Sequence, residues 1–277
     1  MKQIINEIWQ NRNFKLGLIL LLLVIIFSAI LPNILPGDPN FQNMEKCYTK
    51  PTSQHICGTD NLGRDIFLRL IHGSGLSLKI SLTTSLFSVL IGLTIGFISG
   101  SSPKSIDYIL MRMTDLFFGF PKYFLFILVL GFGEFSLLKL IIVLSIFSWM
   151  ETAKMVRSET HYINSSLFVK SAICQGLSKS NLFFIHYLPN LAGILISSYT
   201  LQVSTIILVE SGISFIGLGV QSPNISLGTI LNQARYFPYD NYTLIIFSGL
   251  FILLNVSTFH FLGDGLKATT NKEKFQK

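Results

Sequence analysis

The sequence predicts an all-α integral membrane protein with six transmembrane helices. Of its 277 residues, 50% are hydrophobic and 13% charged, about half the charged share of a soluble domain. Apolar runs near the length of about 20 residues needed to cross a bilayer recur along the chain. Basic residues also concentrate in alternate connecting segments. We predict spans at 14–31, 80–98, 116–132, 137–155, 188–209 and 242–262.

The first span follows basic residues, as the apolar core of a cleaved signal peptide also does. The run 14–31 is longer than such a core, and Leu31-Pro32-Asn33 stands where a small-x-small cleavage site would be needed. We therefore expect a retained anchor and first transmembrane helix, preceded by a cytoplasmic tail at 1–13.

The placement of positive charge predicts the orientation. With the N-terminus inside, 13 of the 21 Lys and Arg residues fall in cytoplasmic segments and seven outside, while Lys122 lies within a span. Because cytoplasmic loops are enriched in Lys and Arg, both termini are expected in the cytoplasm, the C-terminal tail being 263–277. The net charge of +7 is then a topology signal, which argues against nucleic acid as a partner.

An extracytoplasmic segment at 32–79 separates the first two predicted spans. Two glycines in it permit tight turns, and the charged residues beside them can pair with one another. We interpret this stretch as a rigid junction that touches no substrate. Its signature residues are Gly58, Thr59, Asp60, Gly63, Arg64 and Asp65.

The three cysteines divide between compartments under this topology. Cys47 and Cys57 lie outside, where a disulfide is permitted, and unpaired thiols are the alternative; Cys174 lies in the cytoplasm. His55, Cys57 and Asp60 are also potential metal ligands. Turn residues without a metal are the preferred interpretation, so no metal site is predicted.

The remaining five helices form a predicted core at 80–262. Gly92 and Gly96 have the G-x-x-x-G spacing, for which close helix packing is preferred over any more specific role. Ionisable residues in or near spans are costly and therefore suggest function. Asp115, Lys122, Glu151 and Glu210 qualify. We predict that Glu210 and Asp115 approach a translocation path, whereas Lys122 has no assigned role.

The polar stretch 156–187 is predicted to be a cytoplasmic hairpin of two short helices. The first is expected at 166–175 and is ended by Gly176, which can adopt the left-handed conformation of a C-cap. The second is expected to begin at Ser178 or Ser180 as N-cap and to extend to residue 187. From the residues alone, the hairpin could insert into a groove of a partner or lie on the membrane surface.

The hairpin resembles the EAA loop of ABC importer permeases. The matching residues are Lys170, Ser171, Ala172, Gly176, His186, Leu188 and Pro189, with the family's spacing kept. In that family the loop is the coupling helix received by an ATP-hydrolysing subunit, so the resemblance implies that these residues couple the chain to an ATPase. Lys170 replaces the family's Glu and Ser171 its first Ala, which suggests an ATPase with a compensating acidic residue.

The extracytoplasmic signature resembles the Gly-Thr-Asp-x-x-Gly-Arg-Asp motif of the dipeptide, oligopeptide and nickel branch. Further matching blocks lie at 111–121, 210–223 and 262–267. The resemblance implies a type I importer permease fold in the bacterial cytoplasmic membrane. It also implies a heterodimer with a paralogous permease, two ATP-binding subunits and an extracytoplasmic solute-binding protein. The solute is expected to be a peptide or a nickel or metal chelate.

No catalytic centre is expected in this chain. It contains no Gly-Lys dipeptide and hence no phosphate-binding G-x-x-x-x-G-K-[ST] loop. ATP and Mg are expected to be used by partner subunits, and no cofactor by this chain. A stand-alone secondary transporter or channel is the alternative, but it leaves the hairpin unexplained. An intramembrane enzyme is disfavoured because H-E-x-x-H and G-x-S-x-G are absent.

Overall fold

The computed structural model describes residues 10–235 and 242–276, and the regular structure of this part of the chain is helical. A single-turn 3₁₀ helix lies at Met44–Lys46, and one isolated β-bridge joins Thr59 to Asp65. The α-helices are, in order, α1 Arg12–Ile34, α2 Ile66–Ser101, α3 Lys104–Gly119, α4 Lys122–Gly131, α5 Leu137–Ile146, α6 Met150–Ser165, α7 Leu167–Cys174, α8 Ser180–Ile216, α9 Leu227–Ala234 and α10 Tyr242–Gln276. The all-helical class is confirmed.

The count of six spans is not confirmed within these residues. Four helices, α1, α2, α8 and α10, are long and apolar enough to cross a membrane, and the pair α3 and α4 adds a fifth if counted as one span bent by 80°. The bend falls at Pro121, whose ring and missing N–H interrupt a helix. The predicted span 137–155 is likewise divided, because Phe147 leaves the helical conformation between α5 and α6.

Helix α2 begins well before the predicted span 80–98. The Asp65 carboxylate caps its N-terminus by accepting a hydrogen bond from the Leu68 N–H at 2.9 Å. Its 36 residues span about 54 Å, more than the hydrocarbon core of about 30 Å. Residues 66–79 look like a loop by hydropathy, but their polar side chains, including Arg69 and Ser77, are buried against protein.

The glycines of α2 lie on α6. A Cβ added at Gly96 would come within 2.5 Å of the Ala153 carbonyl oxygen, and one at Gly92 within 2.7 Å of Thr152 Cβ. Gly100 makes the same kind of approach to Thr160 one turn further on. Helix packing, the preferred interpretation of the G-x-x-x-G spacing, is therefore confirmed.

Helices α1, α8 and α10 pack together beside this pair. Small residues again mark the contacts: Gly17 lies against Leu262, and Gly265 lies against Phe14. The two ends of α2 thus lead to different regions. The Gly-Thr-Asp signature precedes its N-terminus, and the hairpin of α6, α7 and α8 lies at its C-terminal end.

Candidate functional site

The predicted hairpin is formed by the end of α6, by α7 and by the start of α8. Gly176 follows α7 with φ +77°, the left-handed conformation expected of a C-cap. After the turn, the Ser178 hydroxyl accepts from the Asn181 N–H at 3.3 Å, as an N-cap does. The chain then continues without a break through a π-helical turn at Phe183–Tyr187 into Leu188–Ile216. The second short helix is therefore the first part of α8.

The hairpin has a buried core of its own. Val169 and Ala172 of α7 pack with Leu182 and Tyr187. The Tyr187 hydroxyl donates to Asn164 on α6, whose amide donates in turn to the Gly100 carbonyl at the end of α2, at 2.8 Å. These two hydrogen bonds join the hairpin to the C-terminal end of α2.

The coupling residues implied by the family resemblance divide between the core and the surface of the hairpin. Lys170 and Ser171 are exposed on α7, whereas Ala172 is buried. His186 is half-buried with its ring 5.9 Å from that of Phe168, and Leu188 and Pro189 open the straight part of α8. Large apolar side chains remain exposed around them, with Leu167 81% and Phe184 61% accessible. Such a surface is typical of a contact with a protein or with a membrane.

Helix α6 is also fastened to α3. The Arg157 guanidinium forms two hydrogen bonds of 2.5 Å to the Asp107 carboxylate. This carboxylate raises the pKa of Arg157 above its ordinary value. The ion pair connects α6 to α3, which with α4 forms the bent pair of helices. This pair borders the cavity described below.

The Gly-Thr-Asp signature forms a compact knot around the buried carboxylate of Asp60. Both turn glycines have positive φ, +81° at Gly58 and +68° at Gly63, as their predicted turns require. The Asp60 carboxylate accepts from the Arg64 Nε at 2.7 Å and from two backbone N–H groups. Thr59, also buried, accepts from the Thr49 N–H at 2.8 Å. These contacts fix the segment before α2.

Two arginines of this knot meet one glutamine that is distant in sequence. The Oε1 atom of Gln233 on α9 accepts from the guanidinium groups of Arg64 at 3.1 Å and of Arg69 at 3.0 Å. Arg69 Nε lies 3.7 Å from the Asp60 carboxylate. Neither Arg69 nor Gln233 has a role predicted from the sequence, because no local pattern indicates a contact over more than 160 residues. The signature thereby ties α2 to α9.

The third charged residue of the signature has a different partner from the one expected. Asp65 does not join the Asp60 pair; its carboxylate lies 2.7 Å from His55 Nδ1 and caps α2. Cys47 and Cys57 are free thiols in this structure, and the disulfide considered above stays a prediction. Burial first and Asp65 second raise the pKa of Cys57 to about 11. Among the described residues, no three His, Cys, Asp or Glu side chains converge as metal ligands.

Glu210, predicted to approach the translocation path, is fully buried among serines. Its carboxylate accepts from Ser77 on α2 at 2.9 Å and from Ser214 on α8 at 2.7 Å. The Ser77 hydroxyl also accepts a hydrogen bond from the Leu227 N–H, and the Ser214 hydroxyl accepts one from the Val220 N–H. Glu210 is not among the residues that line the cavity, although its neighbour Val209 is. In this conformation it joins α2, α8 and the start of α9.

A cavity of 640 Å³ opens between α3, α4, α6, α8 and α10. Its wall holds two ion pairs across the breaks in the helices. Lys122 Nζ lies 2.8 Å from Glu151 Oε1, and Lys154 Nζ lies 2.7 Å from Asp115 Oδ1. Both ammonium groups lie over the ring of Phe118, at 5.2 Å and 4.6 Å from its centroid.

Asp115 is therefore placed beside the cavity through its partner Lys154, which lines the wall. Lys122, the charge without an assigned role, pairs with Glu151, and both line the cavity. Lys122 and Glu151 are both recognisable in the sequence as charges near apolar spans, but their pairing could not be predicted. The bend at Pro121 and the break before α6 bring them together.

The chain is similar in sequence to known membrane transport proteins. The model of the family described as "Binding-protein-dependent transport system inner membrane component" matches residues 92–266. A peptide permease protein of Brucella suis is 35% identical over 95% of this chain and 87% of its own length. The oligopeptide transport system permease protein OppC of Haemophilus influenzae is 31% identical, with 95% and 85% covered.

Solved structures agree at the level of the fold. A chain of the MetNI methionine ABC transporter in an inward-facing conformation superposes with a TM-score of 0.59 at 18% identity, covering 72% of this chain and 95% of that one. A chain of an amino acid ABC transporter gives a TM-score of 0.55 at 16% identity, covering 74% and 94%.

Proposed function

The chain belongs to the family of binding-protein-dependent transport system inner membrane components, and on that premise we propose that it is the transmembrane subunit of an ATP-driven peptide importer. It is a membrane transport subunit rather than an enzyme. The single observation that carries the coupling to ATP is the hairpin, which exposes Lys170 beside large apolar side chains at one end of α2. Two relatives named for peptide or oligopeptide transport support the substrate class.

The proposed mechanism separates the chemistry from the movement. Two ATP-binding partner subunits hold ATP and Mg and hydrolyse the nucleotide, while this chain binds neither. Their closure pulls on the hairpin residues, from Lys170 and Gly176 to His186, Leu188 and Pro189. The Tyr187, Asn164 and Gly100 contacts support transmission of that pull to α2. The permease then alternates between two packings whose relative stability the nucleotide changes.

The partners follow from the same proposal. A paralogous permease completes the transmembrane pathway as a heterodimer in the bacterial cytoplasmic membrane, with both termini of this chain in the cytoplasm. An extracytoplasmic solute-binding protein delivers the peptide. The cavity and its ion pairs supply a wall of the path that is both polar and large enough for a small solute.

ATP-driven uptake by the reconstituted complex tests the proposal. Proteoliposomes containing this chain, the paralogous permease, the ATPase subunits and enclosed ATP are expected to accumulate labelled trialanine only when the binding protein is present. Omitting the ATPase distinguishes the alternative, because a stand-alone secondary transporter or channel would still admit the peptide. Accumulation of nickel in place of trialanine would contradict the peptide assignment while retaining the importer.

The hairpin is tested separately by capture of the ATPase. Leu167→Ser removes an exposed apolar side chain from the hairpin and is expected to reduce recovery of the ATPase with the purified permease about tenfold. Ile56→Ser is the matched control, since Ile56 is an exposed apolar residue, 61% accessible, before the opposite end of α2. Equal recovery from both variants would argue against the hairpin as the docking element.

A further inference from the structure

The charged wall of the cavity points to a binding site for the solute within this chain. Lys122, Lys154 and Lys267 line the cavity together with Glu151 and Glu159. Hydroxyl groups from Ser148, Ser158 and Thr205 lie on the same wall. The volume of 640 Å³ is in the usual range for small-molecule sites, roughly 300 to 1,000 Å³. The cavity thus offers both signs of charge and hydrogen-bonding groups to one solute.

The two ion pairs beside Phe118 are arranged so that their partners can be exchanged. Side-chain exposure is 31% for Lys122 and 65% for Glu151, and 42% and 52% for Lys154 and Asp115. Ion pairs at this exposure contribute little to stability, so separating one costs little. The ammonium groups of Lys122 and Lys154 each have a carboxylate partner. A solute that carries both a carboxylate and an ammonium group can separate the lysine and the carboxylate of one ion pair. Its carboxylate then pairs with the lysine and its ammonium group with the protein carboxylate, so that no charge is left unpaired.

A solute with a single type of charge could not do this. A metal cation would meet two ammonium groups held at one aromatic ring, and an anion would leave Glu151 without a counter-charge. A short peptide with free termini carries both charges, and its backbone amides match the hydroxyl-bearing wall. Long, flexible lysine and glutamate side chains can follow termini that are several ångströms apart.

We propose that Lys122 binds the α-carboxylate and Glu151 the α-ammonium group of a short, unmodified peptide in transit. This inference rests on the proposed peptide-import function and adds to it a specificity site in the permease itself. Lys154, which pairs with Asp115 and also lies over the Phe118 ring, adds positive potential near the carboxylate. The site contacts the two groups that distinguish a free peptide from a blocked one.

Competition binding to the purified, nucleotide-free complex tests the site without the binding protein. Labelled trialanine is displaced by unlabelled trialanine, by its N-acetyl derivative or by its C-terminal amide. In the wild-type complex each blocked peptide is expected to compete about tenfold less well, since each lacks one charge-assisted contact. Lys122→Gln is expected to abolish discrimination against the amide only, and Glu151→Gln discrimination against the N-acetyl peptide only.

The controls separate recognition from folding. Lys104→Gln, at the opposite end of α3 from Phe118, is expected to leave both ratios unchanged. Lys122→Arg keeps the positive charge and is expected to restore discrimination against the amide. If Lys122→Gln and Glu151→Gln weaken all three peptides equally, or if wild-type complex binds no trialanine, the site is refuted. ATP-driven uptake of trialanine by the same wild-type complex would still support the importer, whereas its failure would remove the proposed function itself.

Discussion

The two most recognisable motifs of the chain lie at opposite ends of helix α2, and they differ in whether their side chains are buried or exposed. Before the N-terminus, Asp60 is 1% exposed and its neighbours Arg64 and Arg69 are also buried. At the other end, Lys170 is exposed and Leu167 is 81% accessible. A distinctive motif can therefore either stabilise the fold through buried contacts or form an exposed surface that binds a partner. The burial of its side chains distinguishes the two cases.

The difference predicts which experiments should respond. Changes in the knot around Asp60 should lower the stability of the folded chain wherever it is measured. Changes in the hairpin should affect association with the ATPase while the chain stays folded. Each region contains a cysteine and a glycine with positive φ, so the comparison can be made with matched substitutions.

The largest effect is expected from Asp60→Asn. This change removes the charge that neutralises buried Arg64 and Arg69, and losing one partner of a buried pair typically costs about 3 to 5 kcal/mol. Thermal unfolding in detergent should move down by about 10 °C. Asp38→Asn, at an exposed aspartate of the same segment before α2, is the control and should unfold as wild type does. Equal unfolding temperatures would show that the knot contributes no stability.

The second largest difference is expected in thiol labelling. Thiolate is the reactive form of cysteine, and burial together with Asp65 raises the pKa of Cys57 from 9.0 to about 11. Near pH 8 its thiolate fraction is therefore lower by about a hundredfold than at the ordinary pKa, and its labelling should accelerate as the pH rises toward 11. Exposed Cys174 should label readily under the same conditions.

Labelling also reports on the knot itself. Asp60→Asn should speed the reaction of Cys57 because it loosens the surrounding segment, and it should leave Cys174 unchanged. Mass spectrometry of the two peptides measures both rates in one sample. Rapid labelling of Cys57 in the wild-type chain would contradict its burial, and recovery of Cys47 and Cys57 as an oxidised pair would restore the disulfide considered from the sequence.

A smaller effect is expected from Gly176→Ala. A non-glycine residue in the left-handed conformation costs about 1 to 2 kcal/mol, and no atom lies within 4 Å of the added Cβ, so the cost is confined to the backbone. Gly133→Ala is matched in both respects, with φ +73° and open space around it. Both variants should lose similar stability, but only Gly176→Ala should reduce ATP-driven uptake, by about tenfold. A similar loss from Gly133→Ala would mean that uptake follows stability alone.

The sequence predicted most reliably what depends on local pattern. Turns at Gly58, Gly63 and Gly176 followed from the freedom of glycine, and the close packing of α2 followed from Gly92 and Gly96. Hydropathy placed the start of α2 too late because it treats Arg69 and Ser77 as exposed to water, whereas the fold buries them. It also counted continuous spans where Pro121 and Phe147 interrupt the helices.

Contacts between distant residues could not be predicted from one sequence. Gln233 carries no sign that it will accept from two arginines more than 160 residues away. Lys122 and Glu151 were each conspicuous as charges near apolar spans, but their pairing depends on the angle between α3 and α4. Glu210 was conspicuous for the same reason, and the serines that surround it come from separate helices.

The smallest effect is expected from Lys170→Glu, which gives the hairpin the charge typical of the family at this position. If the partner ATPase has an acidic residue there, as the reversed charge suggests, the substitution replaces an attraction by a repulsion in a partly hydrated contact. Exposed pairs contribute up to about 1 kcal/mol, so ATPase affinity should fall about fivefold at low salt and less at high salt. Lys50→Glu makes the same charge reversal at an exposed lysine in the segment before the opposite end of α2 and should have no such effect. Tighter binding of the ATPase by Lys170→Glu would instead indicate a basic partner surface. Because the knot is buried, its contribution to the stability of the chain should not depend on salt in either variant.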